Sequence, residues 1–298
     1  MEAIRSFASC LWQSATFWKV TAVFFALLNL KNLPIVWHIR VYRYFFKYGY
    51  LITPAVEQPA LPSTDVLKPI SIFSRAPIME LDFNIHKSNS TYFSDLDVSR
   101  TALMSSIVVK GAALLEKRLG EQGKKGFLGF ILGSVYTTFK REIPAYTKYE
   151  IKSHVASFDQ KWIYIVTYFL KPSTGSSKKR QDDPEVFRKR LYAISISKYV
   201  LKKGRYTVPP KDAFEAAGYT PFLFSATENG QATGVENGNV NGEAVHRKEA
   251  AAAEVDSDVW ERLKAEIDRG LDVVRPIIEQ EDRLMEDFEH KMSSPGFV

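Results

Sequence analysis

The sequence predicts an α+β domain built from one long helix and an antiparallel sheet, and three observations carry that expectation. A strand-like segment bounded by prolines, Ile70 to Ile78, comes first. A helical stretch over residues 89–119 follows, with Tyr92, Leu96, Ser99, Leu103 and Ile107 recurring on one side and Ala112, Leu115 and Leu119 continuing the pattern. Four strand candidates then succeed one another: Leu128 to Ile143, Ala145 to Phe158, Trp162 to Leu170, and Arg190 to Leu201.

Taken in chain order, residues 7–30 carry one charge, Lys19, and would reach roughly 36 Å as one helix. Lys31, Arg40, Arg43 and Lys47 follow among Trp37, Tyr42, Tyr44, Phe45 and Phe46, an aromatic and basic flank suited to a membrane interface. Three placements are consistent with this: a membrane anchor, a helix lying in the interface, or an apolar helix packed on the domain. The first would leave the domain on the cytosolic side, at a membrane such as the endoplasmic reticulum. Lys19 and the lack of a small-residue cleavage pattern argue against a removed signal peptide.

Residues 51–69 carry Pro54, Pro59, Pro62 and Pro69 and read as an extended connector, because each proline biases its predecessor away from helix. The folded domain is expected over 70–225, with Asn89 or Ser90 capping its long helix. Within it WIYIVTYFL (162–170) is apolar almost throughout and reads as a central strand, whereas LYAISISKYVL (191–201) alternates and reads as half-buried. Asp159-Gln160 suits a hairpin, and Ser173 to Glu185 is a polar loop with Lys178, Lys179 and Arg180 at its tip. Residues 226–255 turn to Gly, Asn, Glu and Ala and read as a disordered linker. The tail, 256–298, spaces Trp260, Leu263, Ile267, Leu271 and Val274 as an amphipathic helix, which Pro276 would break or kink. That helix either docks on its own domain or holds a partner.

Charge is divided unevenly along the chain. Residues 228–298 hold 17 Asp and Glu against 8 Lys and Arg, so residues 1–227 carry 32 basic and 17 acidic residues, a net charge of +15. Such a body suits an anionic membrane or a phosphate-bearing ligand. Nucleic acid is not expected as a partner, since zinc-finger spacing, aromatic RNA-binding motifs and a basic recognition helix are missing. The single cysteine, Cys10, excludes an intrachain disulfide and a cysteine-ligated zinc site. No nucleotide-binding, nucleophile-elbow or metalloprotease motif is present either, so no cofactor or metal is expected.

The chemistry concentrates between the first strand and the long helix. Glu80, Asp82, His86, Asn89 and Tyr92 alternate there with Leu81, Phe83 and Ile85, a polar cluster beside apolar anchors where a helix begins. A carboxylate so placed attacks a thioester carbonyl directly or activates water, while helix N-terminal amides stabilise the oxyanion. A thiolate leaves readily, so a strong general acid is not required. Taken singly, Asp82 suits a turn cap as well as catalysis, His86 a structural histidine, Asn89 a helix cap and Tyr92 a core aromatic.

Their spacing resembles the motif Asp-x-Asp-x-x-Gly-His-x-Asn-Asn-x-x-Tyr of the 4-hydroxybenzoyl-CoA-thioesterase branch of the hotdog superfamily. Asp82 matches its second Asp, His86 its His, Asn89 its second Asn and Tyr92 its Tyr, while Glu80, Ile85 and Ser88 depart from its first Asp, its Gly and its first Asn. The run LDFNIHKSNSTY, continued by SDLDVSRTALM, is similar to the membrane-associated thioesterase superfamily member 6 group and to fungal thioesterase-like proteins, some encoded in lipopeptide or polyketide biosynthetic clusters. The resemblance covers about residues 68–205. It implies a hotdog fold, with a five- or six-stranded antiparallel sheet wrapped around the central helix, flanked by an N-terminal membrane-associated helix and a C-terminal helix. It further implies a homodimer that hydrolyses an acyl thioester of coenzyme A or an acyl carrier protein. Asp82 would be the catalytic carboxylate, with His86, Asn89 and Tyr92 in support. A catalytically weak acyl-binding scaffold at a membrane is the alternative. The hydratase branch of the fold fits less well, because its Asp and His pairing on the central helix is not evident.

Overall fold

The structure, a computed structural model, describes residues 2–13, 17–49, 61–173, 184–220 and 242–293. The tip of the predicted 173–185 loop, residues 51–60 of the predicted connector and residues 226–241 of the predicted linker lie outside the described residues. The helices are α1 (Glu2–Gln13), α2 (Phe17–Leu28), α3 (Val36–Tyr48), α4 (Thr91–Glu121), α5 (Pro184–Arg190), α6 (Pro210–Ala216) and α7 (Gly242–Ser293). The strands are β1 (Leu61–Pro62), β2 (Ile70–Arg75), β3 (Leu128–Phe139), β4 (Lys148–Phe158), β5 (Trp162–Leu170), β6 (Leu191–Lys203), β7 (Tyr206–Val208) and β8 (Tyr219–Thr220).

Six strands form one antiparallel sheet in the order β2-β4-β5-β6-β3, with β7 paired to β6. The central helix α4 lies on its inner face. Tyr92, Leu96, Ser99, Leu103 and Ile107 are all buried, as their spacing predicts, and Leu115 and Leu119 continue the buried stripe. Polar contacts also join helix to sheet, since the Ser99 hydroxyl lies 2.7 Å from that of Ser153, which lies 2.7 Å from that of Thr167. At Gly111 the helix meets the backbone of α6, where a Cβ would fall 2.3 Å from Ala216 C.

Strand β5 occupies the predicted centre, and its two faces have different covers. Ile163, Ile165 and Phe169 belong to the clusters around α4, whereas Tyr164 and Val166 pack with Val274 of α7. The tail therefore docks on its own domain, burying Trp260, Leu263, Ile267 and Val274. Contact is close where β4 bulges between Val155 and Ser157: the Ser157 hydroxyl donates to Ile267 O at 2.8 Å. A Cβ at Gly270 would sit 1.8 Å from Ala156 O, so this helical position accepts only glycine without a shift. Pro276 lies within a helix assigned continuously from 242 to 293, so of the expected break or kink the break does not occur. Pro276 itself is exposed, while Val274 beside it is fully buried against the sheet. The helix backbone already runs through 242–255, the second half of the stretch that composition reads as linker.

At the front of the domain, residues 61–69 contribute more than a connector. Leu61 and Pro62 pair in parallel with Tyr219 and Thr220, and Val66 is fully buried in the core.

In the N-terminal segment the structure describes helices α1 and α2 on either side of residues 14–16, which lie outside the described residues. Each contains 12 residues, about 18 Å of helix, and neither described helix by itself supports the expected membrane anchor. The described helix that is long and apolar enough to cross a membrane is α4, which the sheet buries. What ends α2 is the domain itself. Asn29 is fully buried, with its side-chain oxygen accepting from Met79 N at 2.9 Å, and Lys31 enters the interior. Helix α3 then packs along α4, burying Tyr44. Helix α2 remains uncovered, with Phe17, Trp18, Val23, Phe24 and Leu27 exposed.

Candidate active site

The segment from Glu80 to Ser90 forms a tight hairpin that delivers the chain into α4. Asp82 N donates to His86 O at 2.8 Å and Ile85 N to Asp82 O at 3.1 Å. The Asp82 carboxylate closes the turn, its Oδ1 accepting from Asn84 N at 2.9 Å and from His86 N at 3.3 Å. The base of the hairpin is tied down twice, by Ser88 N donating to Glu80 O (2.7 Å) and by Lys87 N donating to Ile143 O (2.9 Å).

Ile85 stands where the resembled motif has glycine, and its φ is +63°. The backbone thus keeps the left-handed conformation that glycine adopts freely, and the β-branched side chain, 68% exposed, bears the steric cost. Ile85→Gly relieves roughly 1–2 kcal/mol of strain against about 0.5–1 kcal/mol of added chain entropy. A small rise in melting temperature is the outcome that thermal denaturation should return.

All four residues singled out in the sequence line one cleft of about 550 Å³ at the start of α4: Asp82, His86, Asn89 and Tyr92, joined by Lys140 and Arg141 from the end of β3. His86 Nε2 lies 3.3 Å from Glu142 Oε2. Neither Asn89 nor Ser90 caps α4 as expected. Ser90 occupies the cap position without a side-chain bond, and the Thr91 hydroxyl instead donates to Ser88 O at 2.7 Å. Asn89 is left exposed on the cleft wall. The Tyr92 ring packs edge-on against Phe139 and Phe169. Burial, reinforced by Tyr192, Asp95 and Asp82, pushes its hydroxyl far above the ordinary phenol range, so it stays protonated. Among the described residues no group of three or more His, Cys, Asp or Glu side chains is placed to hold a metal ion.

Behind the cleft lies a buried charge cluster that the sequence does not reveal. Lys87 points inward, opposite to His86, and its Nζ lies 2.6 Å from Glu80 Oε2 and 3.0 Å from Asp95 Oδ2. Lys31 reaches the same carboxylates at 2.8 and 2.9 Å, and Arg40 contacts Asp95 at 2.8 Å. Tyr149 donates its hydroxyl to Asp95. Burial alone would raise the Asp95 pKa, but Lys31, Lys87 and Arg40 more than reverse this and hold the carboxyl ionised far below its usual range. Lys31 is itself lowered, chiefly by burial; Asp95 raises it again and Lys87 lowers it further. Both shifts are downward for different reasons: the cations outweigh burial at Asp95, and burial outweighs the carboxylates at Lys31. Glu80 therefore belongs to the interior and not to the cleft. Nothing in the sequence marks this set, since Lys31 and Arg40 read as membrane flank and Asp95 as an ordinary residue of the first helical turns.

A long helix enclosed by a six-stranded antiparallel sheet defines a hotdog domain. The family model described as "Thioesterase-like superfamily" matches residues 76–181. Thioesterase poxG of Penicillium oxalicum is 31% identical over 99% of this chain and 95% of that protein. The probable thioesterase atnL of Emericella nidulans is 35% identical over 76% of this chain and 80% of its own length. Thioesterase lcsJ of Purpureocillium lilacinum is 29% identical over 86% and 88% respectively. The chain belongs to the thioesterase-like superfamily.

Proposed function

We propose that this protein hydrolyses acyl thioesters at the cleft beside the start of α4, with Asp82 as its catalytic carboxylate. The observation that carries the reading is the convergence of Asp82, His86, Asn89 and Tyr92 on one cavity within a thioesterase-like domain. Asp82 Oδ1 is held by two backbone amides, which aims Oδ2 toward a thioester carbonyl or a water molecule. The N-terminal amides of α4 supply the field that stabilises the oxyanion. His86 and Asn89 orient the thioester, and the protonated Tyr92 hydroxyl donates at the floor of the cleft. Lys140 and Arg141 at its rim complement the phosphates of coenzyme A or of a phosphopantetheine carrier.

The substrate is an acyl or polyketide chain on coenzyme A or an acyl carrier protein, released in secondary-metabolite biosynthesis as in the fungal group the sequence resembles. Two surfaces complete the proposal. The exposed apolar side chains of α2 and the aromatic residues Tyr42 and Phe46 of α3 support a position in the membrane interface, with the domain on the cytosolic side. Strand β3 is an edge of the sheet with Ile131, Leu132 and Tyr136 exposed, which supports pairing with a second copy in a homodimer. The test is thiol release from a panel of acyl-CoA esters by the purified full chain. Turnover above the buffer rate is expected; acyl-CoA retained without thiol release would make the protein an acyl-binding scaffold instead.

A further inference from the structure

A second cavity, of about 440 Å³, opens between α3, the middle of α4 and the β3–β6 side of the sheet. Its walls are apolar, with Trp37 and Phe45 from α3, Met104 and Val108 from α4, Phe130 from β3 and Leu201 from β6. Two polar side chains in this lining have unmet hydrogen-bonding capacity. Arg100 is 2% exposed; its guanidinium donates to Ser197 Oγ at 2.9 Å and to Asp97, but Nε has no partner. Ser105, 1% exposed, has no partner for its hydroxyl. A buried donor left without an acceptor costs about 1–3 kcal/mol. Both residues belong to the lining of one apolar cavity, where an oxygen brought by a ligand would satisfy them.

The cavity and the cleft share α4 and β3 as walls, at opposite ends of β3. The cleft is walled by Tyr92 of α4 and Phe139 of β3, and the cavity by Arg100 to Ala112 of α4 and Leu128 to Phe130 of β3. Along the helix axis Arg100 is about 12 Å from Tyr92. An acyl chain whose thioester sits at Asp82 and whose tail follows α4 would bring its middle or end to Arg100 and Ser105.

We infer that this cavity is the acyl-tail subsite and that Arg100 and Ser105 select chains bearing a hydroxyl or keto oxygen there over fully reduced chains. The inference rests on the thioesterase reading for the position of the thioester, and on the two unpaired donors for the chemistry of the tail. Helix α3 closes the site, so the N-terminal segment takes part in choosing the substrate. A hydrogen bond between the charged guanidinium and the tail oxygen is worth about 1.5–3 kcal/mol, a discrimination of roughly tenfold to a hundredfold.

The experiment compares acyl-CoA pairs of equal chain length, plain and hydroxylated toward the tail end, in kcat/KM. Calorimetric titration of the corresponding free acids runs beside it and needs no turnover. Wild type should prefer the hydroxylated member by about tenfold or more in at least one chain length. Arg100→Met should bring the ratio close to one and Ser105→Ala should cut it several-fold, with thermal melts reporting whether each variant folds. Because Ser105→Ala removes only an unpartnered hydroxyl, it keeps the test decisive if Arg100→Met unfolds. Ala112→Phe, narrowing the cavity, should shift the chain-length optimum toward shorter acyl groups. Equal rates and equal affinities for plain and hydroxylated chains in wild type would overturn the inference while leaving hydrolysis intact. Selective binding of the hydroxylated acid without hydrolysis of any thioester would do the reverse.

Discussion

Replacing Asp82 by Asn lowers kcat for acyl-CoA hydrolysis by about a thousandfold, the middle of the range that a positioned base or nucleophile contributes. The substitution is selective because the carboxamide oxygen keeps the two bonds that close the hairpin, from Asn84 N and His86 N. The charge and the basic lone pair at Oδ2 are lost. The melting temperature should therefore move by no more than a degree or two, so that lost activity is not read as lost fold. Thiol release measured beside thermal denaturation gives both quantities. A variant hydrolysing at the wild-type rate would reduce Asp82 to the turn cap that its backbone bonds equally suit, and the catalytic base would have to be sought elsewhere in the cleft.

Asp95→Asn produces the largest expected loss of stability. The Asp95 side chain is fully buried, and Lys31, Lys87 and Arg40 all depend on it. Without its charge, Lys31 and Lys87 keep only Glu80 and Arg40 loses its carboxylate, and breaking such a cluster costs about 3–5 kcal/mol. For a domain of this size that is roughly a 10 °C fall in melting temperature. Adding Lys31→Met to Asp95→Asn removes the surplus cation and should restore part of the loss. Non-additivity of this kind is the mark of a shared network, and additive losses would show that the two residues act independently.

The same cluster sets a pH dependence. The Asp95 pKa is lower in the folded protein than in the unfolded chain, so its contribution is complete above the ordinary carboxylate pKa of about 4. It is lost as pH falls from there toward the folded value. Melting temperature in the wild type should drop steeply between about pH 5 and pH 2, and Asp95→Asn should flatten that slope. An identical slope in the variant would assign acid sensitivity to other carboxylates.

Legibility of the fold differs from element to element, for physical reasons. The α4 stripe and the continuous apolar run of β5 were readable because local periodicity reports which faces are covered. The run in β5 did not say what covers its outer face; α7 does, through Gly270 and Ser157, more than a hundred residues away along the chain. The apolar composition of residues 7–30 does not register that Asn29 and, just beyond, Lys31 are held by the domain. At the site, spacing alone grouped Asp82, His86, Asn89 and Tyr92. Glu80 and Lys87 lie between and beside them in sequence yet face the interior, because the hairpin sends successive side chains to opposite sides.

By itself the sequence determined the order of strands and helix, the superfamily and the four residues of the cleft, all of them encoded in local patterns and fixed spacings. Only the tertiary structure decided that Lys31 and Arg40 balance Asp95, that Ile85 holds a glycine's conformation, and that Arg100 and Ser105 meet in an apolar cavity under α3. Charge pairing, backbone strain and unpaired donors depend on which distant segments share a volume. That is settled by packing, to which no local spacing corresponds.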